Sequence, residues 1–365
     1  MKRFFSQAKK ARWNTSLFTL PVILTLIGLF FVFEASSVRS FTEYKDSFYY
    51  LKLQAVWMVS GLVVLAFFAT LDYHKLYYFS FILMFGTVLL LMAVLIPGFG
   101  ISAGGARRWI DLGIFTLQPT ELAKFSVIVY LASWFINRER KRFFSFIILL
   151  GSLMFLIILQ PDMGTAIIVF FLSIIIYFLA GIELYYLIFL IPAAVAGFFL
   201  LVKISPYRLQ RLTAYLNPQA DPLGIGYHVN QILISLGAGG LLGRGLGASR
   251  QKYLFLPEAH TDSIFAIIAE EFGFAGSFFL ILLYLILLYT IYSAIERAPD
   301  RFGKLLAGGI FAYFGLQIAI NLGGMAGLIP LTGVPLPFIS YGGSNLLVSY
   351  ALCGILINVS KKSGK

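Results

Sequence analysis

The chain has 365 residues, of which 59% are hydrophobic and only 12% charged, with a formal net charge of +12 and a mean hydropathy of +0.88. An ordinary soluble domain carries charge on about a quarter of its residues, so a water-soluble globular enzyme is excluded. Cys353 is the single cysteine, which excludes an intrachain disulfide, and the three histidines (His74, His228 and His260) lack metal-ligand spacing.

A membrane-spanning helix needs roughly 20 predominantly apolar residues, and such windows recur from end to end. Lys2, Arg3, Lys9, Lys10 and Arg12 open the chain without an acid among them. The apolar run from Leu17 to Phe33 leads to Glu34 without a small-x-small cleavage site, so it reads as an uncleaved anchor rather than a removable signal. The pattern predicts an all-α polytopic membrane protein, one domain over 1–365. Ten spans are expected at 17–37, 52–71, 76–96, 117–136, 143–160, 164–181, 184–203, 263–294, 303–323 and 340–359. Short tails (1–16 and 360–365) flank them, and a long external loop (204–262) joins spans 7 and 8.

Lys and Arg crowd cytoplasmic loops. With both termini in the cytoplasm, 16 of the 28 basic residues fall inside. Six of the others, from Lys203 to Lys252, surround the long external loop. Basic groups on that face suit an anionic ligand, with lipid phosphates or plain solvation as the bland alternative.

Motifs follow in chain order. Glu34 lies near the outer end of span 1. Arg107 and Arg108 stand beside Trp109 between spans 3 and 4. Guanidinium matches phosphate oxygens, although taken alone the trio is better explained as an interfacial anchor. Pro119 opens span 4, where its missing N–H is no loss. Glu121 and Lys124 follow at i, i+3, on one face. They form either a structural ion pair or a pair lining a cavity. Asp162 sits in a Gln-Pro-Asp turn. Residues 237–247 are glycine-rich, as a phosphate cradle or a set of tight turns would be. The Gly-Lys-Ser/Thr ending of a nucleotide loop is missing, so ATP binding has no support.

Leu256-Pro257-Glu258-Ala259-His260-Thr261-Asp262 closes the long loop and puts a carboxylate at the mouth of span 8. An aspartate just before an apolar helix is also a good N-cap, worth about 1 kcal/mol. The last loop, 333–344, carries two prolines, Ser340, Tyr341 and a Gly-Gly pair, and its chemistry is not readable from residue type. No internal repeat of the transporter kind is evident, and nothing calls for nucleic acid.

Four of these stretches together resemble the SEDS family (shape, elongation, division and sporulation): Gly105-Ala106-Arg107-Arg108-Trp109, Gln118-Pro119-Thr120-Glu121-Leu122-Ala123-Lys124, Pro257-Glu258-Ala259-His260-Thr261-Asp262, and Pro337-Phe338-Ile339-Ser340-Tyr341-Gly342-Gly343-Ser344. They occur in the family's order, from span 1 to span 10. Ala259 before His260 and the wording of the last loop lean towards the FtsW-like division branch. Ser263 departs from the phenylalanine that members often carry beside the aspartate.

The resemblance implies a peptidoglycan glycosyltransferase in the bacterial cytoplasmic membrane. Its substrates would be lipid II and the growing glycan on undecaprenyl pyrophosphate, and its partner a class B penicillin-binding protein. Asp262 takes the place of the family's essential aspartate, and Arg107, Arg108, Glu121 and Lys124 match its other motif positions. Candidate substrate-binding residues beyond these are Arg208, Arg211, Arg244, Lys252, His260, Ser340 and Tyr341.

The chemistry agrees. A lipid pyrophosphate is already a good leaving group, so it needs positive charge where negative charge develops rather than a second carboxylate acting as acid. A divalent cation, Mg2+ or Mn2+, could assist, and no other cofactor is implied. The acceptor hydroxyl needs a base. Asp262 is expected in that role, with Glu258 and His260 as rivals. Two other functions compete: a lipid II flippase using Glu121 and Lys124, and a non-catalytic scaffold for the transpeptidase.

Overall fold

Apolar runs fold as helices because a helix satisfies its own backbone hydrogen bonds where hydrocarbon offers none. The computed structural model describes residues 15–103, 106–113, 115–137, 142–182 and 185–362. The basic residues Lys2 to Arg12, the Gly104-Gly105 pair, Arg138, Arg140, Lys141 and the terminal Lys365 lie outside the described residues. Twelve helices are described: α1 (Ser16–Tyr44), α2 (Tyr49–Thr70), α3 (Lys75–Ala93), α4 (Pro119–Trp134), α5 (Phe143–Leu159), α6 (Met163–Leu179), α7 (Tyr185–Ile204), α8 (Pro206–Leu216), α9 (Tyr227–Gly239), α10 (Ile264–Arg297), α11 (Arg301–Met325) and α12 (Gly343–Lys362). Six of them, α1, α2, α3, α10, α11 and α12, are long and apolar enough to cross a membrane, and α5 and α6 are shorter apolar helices. The chain is therefore a multi-pass membrane protein.

A helix lies at each place where the sequence predicts a span, but three details differ. The stretch expected as one long loop folds into α8 and α9 over part of its length. Ser340 and Tyr341 precede the last helix rather than opening it. Between α3 and α4 the chain adds a small antiparallel sheet, ordered β1 (Gly100–Ala103), β2 (Ala106–Asp111), β3 (Thr116–Leu117).

The bundle is layered around α4, which buries 13 of its 16 residues. Helix α3 packs on α4, α6 on α4 and α11, α10 on α11, and α2 along α12. The outward faces of α2 and α3 leave Val56, Val63, Phe81 and Phe85 exposed, as lipid-facing surfaces do. Lipid tails are as apolar as leucine, so helices associate through close backbone approach at small residues. At Gly61 on α2 an added Cβ would stand 2.3 Å from the Tyr350 ring of α12.

The glycine-rich stretch has its own explanation. Helix α10 breaks at Gly273 (φ 64, ψ −159), and the chain after α9 crosses it there. The Arg244 and Gly245 amides donate to the Glu270 and Glu271 carbonyls, both at 3.0 Å, while Phe274 N–H donates to the Gly240 carbonyl at 2.9 Å. A Cβ on Gly243 would lie 2.1 Å from the Glu271 carbonyl oxygen. The glycines serve tight turns and backbone contact, and α10 engages these amides.

Candidate active site

Asp262 is set by the turn that ends the 256–262 segment. Glu258 adopts a left-handed backbone (φ 50), and its carbonyl accepts from the amides of Thr261 at 3.2 Å and Ser263 at 3.1 Å. Ser263, not Asp262, occupies the N-cap of α10, and no side chain caps that end. The Ser263 hydroxyl is instead 2.8 Å from His228 Nε2 on α9. The Asp262 carboxylate is thus not a capping group.

Asn321 of α11 holds the aspartate's backbone. Its Nδ2 donates to the Asp262 carbonyl at 2.9 Å and to the Val334 carbonyl at 2.8 Å. This ties the aspartate to the 333–344 loop. At Gly333 (φ +73) an added Cβ would lie 3.7 Å from Asp262 Oδ2. The Thr261 hydroxyl lies 3.3 Å from Asp262 Oδ1 and 2.9 Å from Glu258 Oε2, so one hydroxyl separates two carboxylates. Burial, followed by repulsion from Glu258, pushes the Asp262 carboxyl up to about 6, against the pull of Arg211 and the Thr261 hydroxyl. A carboxylate with that proton affinity is suited to general-base work near neutrality.

Two cavities adjoin this segment. The first, about 400 Å³, has apolar walls from Ile167, Leu316 and Ile320 and carries Arg108, Arg208 and Arg211 with no carboxylate in its lining. Asp262 does not line it, but the charge of Arg211, which does, acts on the Asp262 carboxyl. The lining residues Leu331 and Thr332 precede Gly333, where an added Cβ would lie 3.7 Å from Asp262 Oδ2. Backbone carbonyls hold the arginines in place. Arg108 donates through Nε to the Gln160 carbonyl at 3.2 Å and through a terminal nitrogen to the Pro161 carbonyl. Arg208 donates to the Ile158 carbonyl at 3.2 Å, and Arg211 to the Leu331 carbonyl at 3.3 Å. Arg208 Nε is buried without a partner among the described residues, an open donor at an anion-sized opening. The second cavity, about 290 Å³, lies between the end of α1 and the 252–260 segment, with a mixed lining that includes Leu254, Leu256, Arg39, Glu43 and Glu258.

A β-bulge explains why Arg108 and not Arg107 enters the first cavity. The register passes from Ile101 opposite Trp109 to Ser102 opposite Arg107, which leaves Arg108 as the extra residue. A bulge re-aims a side chain in this way. Arg107 is exposed.

Of the other expected site residues, Lys252 and His260 line the second cavity, and Glu121, Lys124 and Arg244 line neither cavity. Lys124 Nζ is 2.7 Å from Glu121 Oε1, the two side chains being 1% and 2% exposed, and neither lines the two cavities described. Asn345 donates to Glu121 Oε2 at 3.0 Å, so the ion pair is buried with both carboxylate oxygens engaged. Lys252 bridges Glu34 at 2.6 Å and Glu271 at 3.2 Å. Arg244 donates to the Ala238 carbonyl at 3.3 Å, with Glu270 at 3.9 Å. Asp162 caps α6, accepting from the Thr165 amide at 3.1 Å.

Ser340 and Tyr341 belong to a hub. The Ser340 hydroxyl accepts from the Leu336 amide at 2.9 Å, its carbonyl accepts from Gln54 at 3.2 Å, and the Tyr341 amide donates to the His260 carbonyl at 2.9 Å. His260 packs against Tyr50 and Tyr341 with ring centroids 4.5 and 5.6 Å away. Burial lowers its pKa to about 4, so it is uncharged at neutral pH. Asn321, Thr261 and Tyr50 escaped the sequence reading because an amide, a hydroxyl and a phenol carry no spacing signal. Among the described residues no group of three or more His, Cys, Asp or Glu side chains could hold a metal ion.

A helical bundle with a perturbed carboxylate at one end and an apolar cavity lined by three arginines defines a multi-pass membrane protein with a polar site at one end of its helices. Residues 14–365 match the cell cycle protein family of FtsW, RodA and SpoVE, and the chain belongs to that family. It is 40% identical over 362 residues to stage V sporulation protein E of Bacillus subtilis (strain 168), covering 97% of this chain and 99% of that one. It is 38% identical over 349 residues to the probable peptidoglycan glycosyltransferase FtsW of Geobacter sp. (strain M18), covering 94% and 95%. Among solved structures, a chain from a peptidoglycan synthase complex that coordinates polymerization and crosslinking matches with a TM-score of 0.78 at 29% identity, covering 96% of this chain and 98% of that chain. The rod shape determining protein RodA of Thermus thermophilus matches with a TM-score of 0.70 at 27% identity, covering 95% and 96%.

Proposed function

We propose that this chain is a peptidoglycan glycosyltransferase that polymerises lipid II at the outer face of the cytoplasmic membrane, with Asp262 as general base. One observation carries the reading: a carboxylate with a pKa raised to about 6 lies within the electrostatic reach of Arg211, which lines an apolar cavity together with Arg108 and Arg208. The names of the relatives and the synthase complex above support it. The positive-inside bias, 16 of the 28 basic residues, favours both termini in the cytoplasm and with them the Asp262 end outside.

In this mechanism the donor's isoprenoid tail lies along the apolar wall, and its pyrophosphate meets the three guanidiniums. The Asp262 carboxylate takes the proton of the acceptor's 4-hydroxyl as that oxygen attacks the donor's anomeric carbon from the face opposite the phosphate. The carbon–oxygen bond to the pyrophosphate breaks, and the leaving group departs with the electron pair, stabilised by positive charge fixed in advance. Backside attack converts the donor's α-linkage to a β-linkage. A divalent cation, if used, would be held mainly by the substrate's pyrophosphate with one or two carboxylates at most; among the described residues no group of three or more metal-ligating side chains is present, and no step is routed through a cation. A class B penicillin-binding protein would crosslink the product.

The test is a gel assay of purified protein with fluorescent lipid II, alone and with a class B penicillin-binding protein. Wild type should give glycan ladders, and Asp262→Asn should slow them by about 10²- to 10⁴-fold, the usual contribution of a general base. No ladder from wild type with the partner present would contradict the polymerase reading.

A further inference from the structure

A polymerase joining two lipid-linked glycans must hold an anionic leaving group and, facing it, an uncharged hydroxylated ring. We propose that the second cavity is the subsite for the terminal sugar of the acceptor, an inference that rests on the polymerase reading above. The charges of the two cavities are sorted as that division requires. The first has three arginines in its lining and no carboxylate. The second is lined by Arg39, Thr42, Glu43, Lys252, Glu258 and His260, and its cations are already matched. Arg39 Nε binds Glu43 at 2.8 Å, and Lys252 is held by Glu34 and Glu271 at 2.6 and 3.2 Å. With Glu34 and Glu271 behind Lys252, four carboxylates (Glu34, Glu43, Glu258 and Glu271) surround two cations (Arg39 and Lys252) at this cavity, which disfavours phosphate and favours hydroxyl and amide donors.

The position fits as well. The Thr261 hydroxyl lies within hydrogen-bonding reach of both Glu258 and Asp262, at 2.9 and 3.3 Å. A sugar bound against Glu258 therefore has Asp262 one hydroxyl away. His260, uncharged and held in place by Tyr50 and Tyr341, is part of the lining beside Leu254, Leu256 and Pro257, which offer apolar surface to a sugar ring. At about 290 Å³, the cavity is near the lower end of the range for small-molecule sites. That suits one ring and excludes an isoprenoid chain.

The experiment is saturation-transfer NMR on the full-length protein in nanodiscs, with N,N′-diacetylchitobiose as the uncharged probe and N-acetylglucosamine 1-phosphate as its anionic counterpart. Wild type and Asp262→Asn should both saturate the chitobiose signals. Thr42→Trp, which fills the cavity from the exposed end of α1, should abolish the transfer. Glu258→Gln should weaken it about tenfold, as expected for loss of a hydrogen bond to a charged group. No transfer to chitobiose, transfer unaffected by Thr42→Trp, or stronger Thr42→Trp-sensitive binding of the phosphate would each overturn the subsite. Sugar binding by a protein that never polymerises lipid II would leave a sugar-binding cavity but reject the polymerase and, with it, the acceptor role.

Discussion

A base that works at neutral pH is most effective when its own pKa lies nearby, and at Asp262 burial and Glu258 supply that shift. The same shift has a cost in stability. The folded-state pKa exceeds the ordinary value of 3.8, so as pH rises the unfolded chain loses this proton first and the native state is disfavoured above about pH 6. Asparagine removes the charge, and the carboxylate caps no helix. We therefore predict that Asp262→Asn melts at or above the wild-type temperature at pH 7.5, with the difference vanishing near pH 4. A thermal scan at both pH values checks this, and a lower Tm for the variant at pH 7.5 would show a structural role. His260, the histidine rival for the base, is legible in the sequence as a titratable group; its burial against Tyr50 and Tyr341 is not, because Tyr50 lies on α2.

At the scale of elements, the crossing of the 240–247 chain over the break in α10 is the most demanding piece of packing. Gly243 has φ +81 and no room for a Cβ beside the Glu271 carbonyl. Gly243→Ala combines left-handed backbone strain with overpacking and should destabilise the protein by about 2–4 kcal/mol, read as a fall in Tm. An unchanged Tm would mean that this crossing is loose.

Lys252 joins three elements through Glu34 and Glu271. Lys252→Met strands two carboxylates, and breaking a buried pair costs about 3–5 kcal/mol. Adding Glu34→Gln and Glu271→Gln should restore most of the loss. The i, i+3 pairing of Glu121 with Lys124 was legible because helical spacing fixes it. The Lys252–Glu34 contact was not, since it closes 218 residues of sequence. The division of labour between Arg107 and Arg108 was hidden for another reason: a bulge in β2 decides it, and bulges leave no mark in hydropathy.

At the scale of the molecule, hydropathy located the helices well, because each apolar run must satisfy its own backbone in lipid. It could not foresee α8 and α9, whose positions depend on contacts with the loops around them, such as Tyr215 on the Leu328 carbonyl at 2.9 Å. Sidedness is open to direct test, since the native Cys353 is buried and leaves a clean labelling background. Tyr253→Cys, in the Asp262 loop, should react with an impermeant maleimide in intact cells. Pro299→Cys, in the α10–α11 turn, should react only after permeabilisation. The reverse pattern would invert the topology and remove the external site.

The central claim is that a perturbed Asp262 takes the acceptor's proton, and the pH dependence of the initial polymerisation rate tests it most directly. Because only the ionised carboxylate accepts a proton, activity should fall on the acid side with a midpoint near pH 6, and Glu258→Gln should move that midpoint to lower pH by removing the neighbouring negative charge. A profile flat through pH 6, or an acid limb indifferent to Glu258, would contradict the assignment of Asp262 as the base.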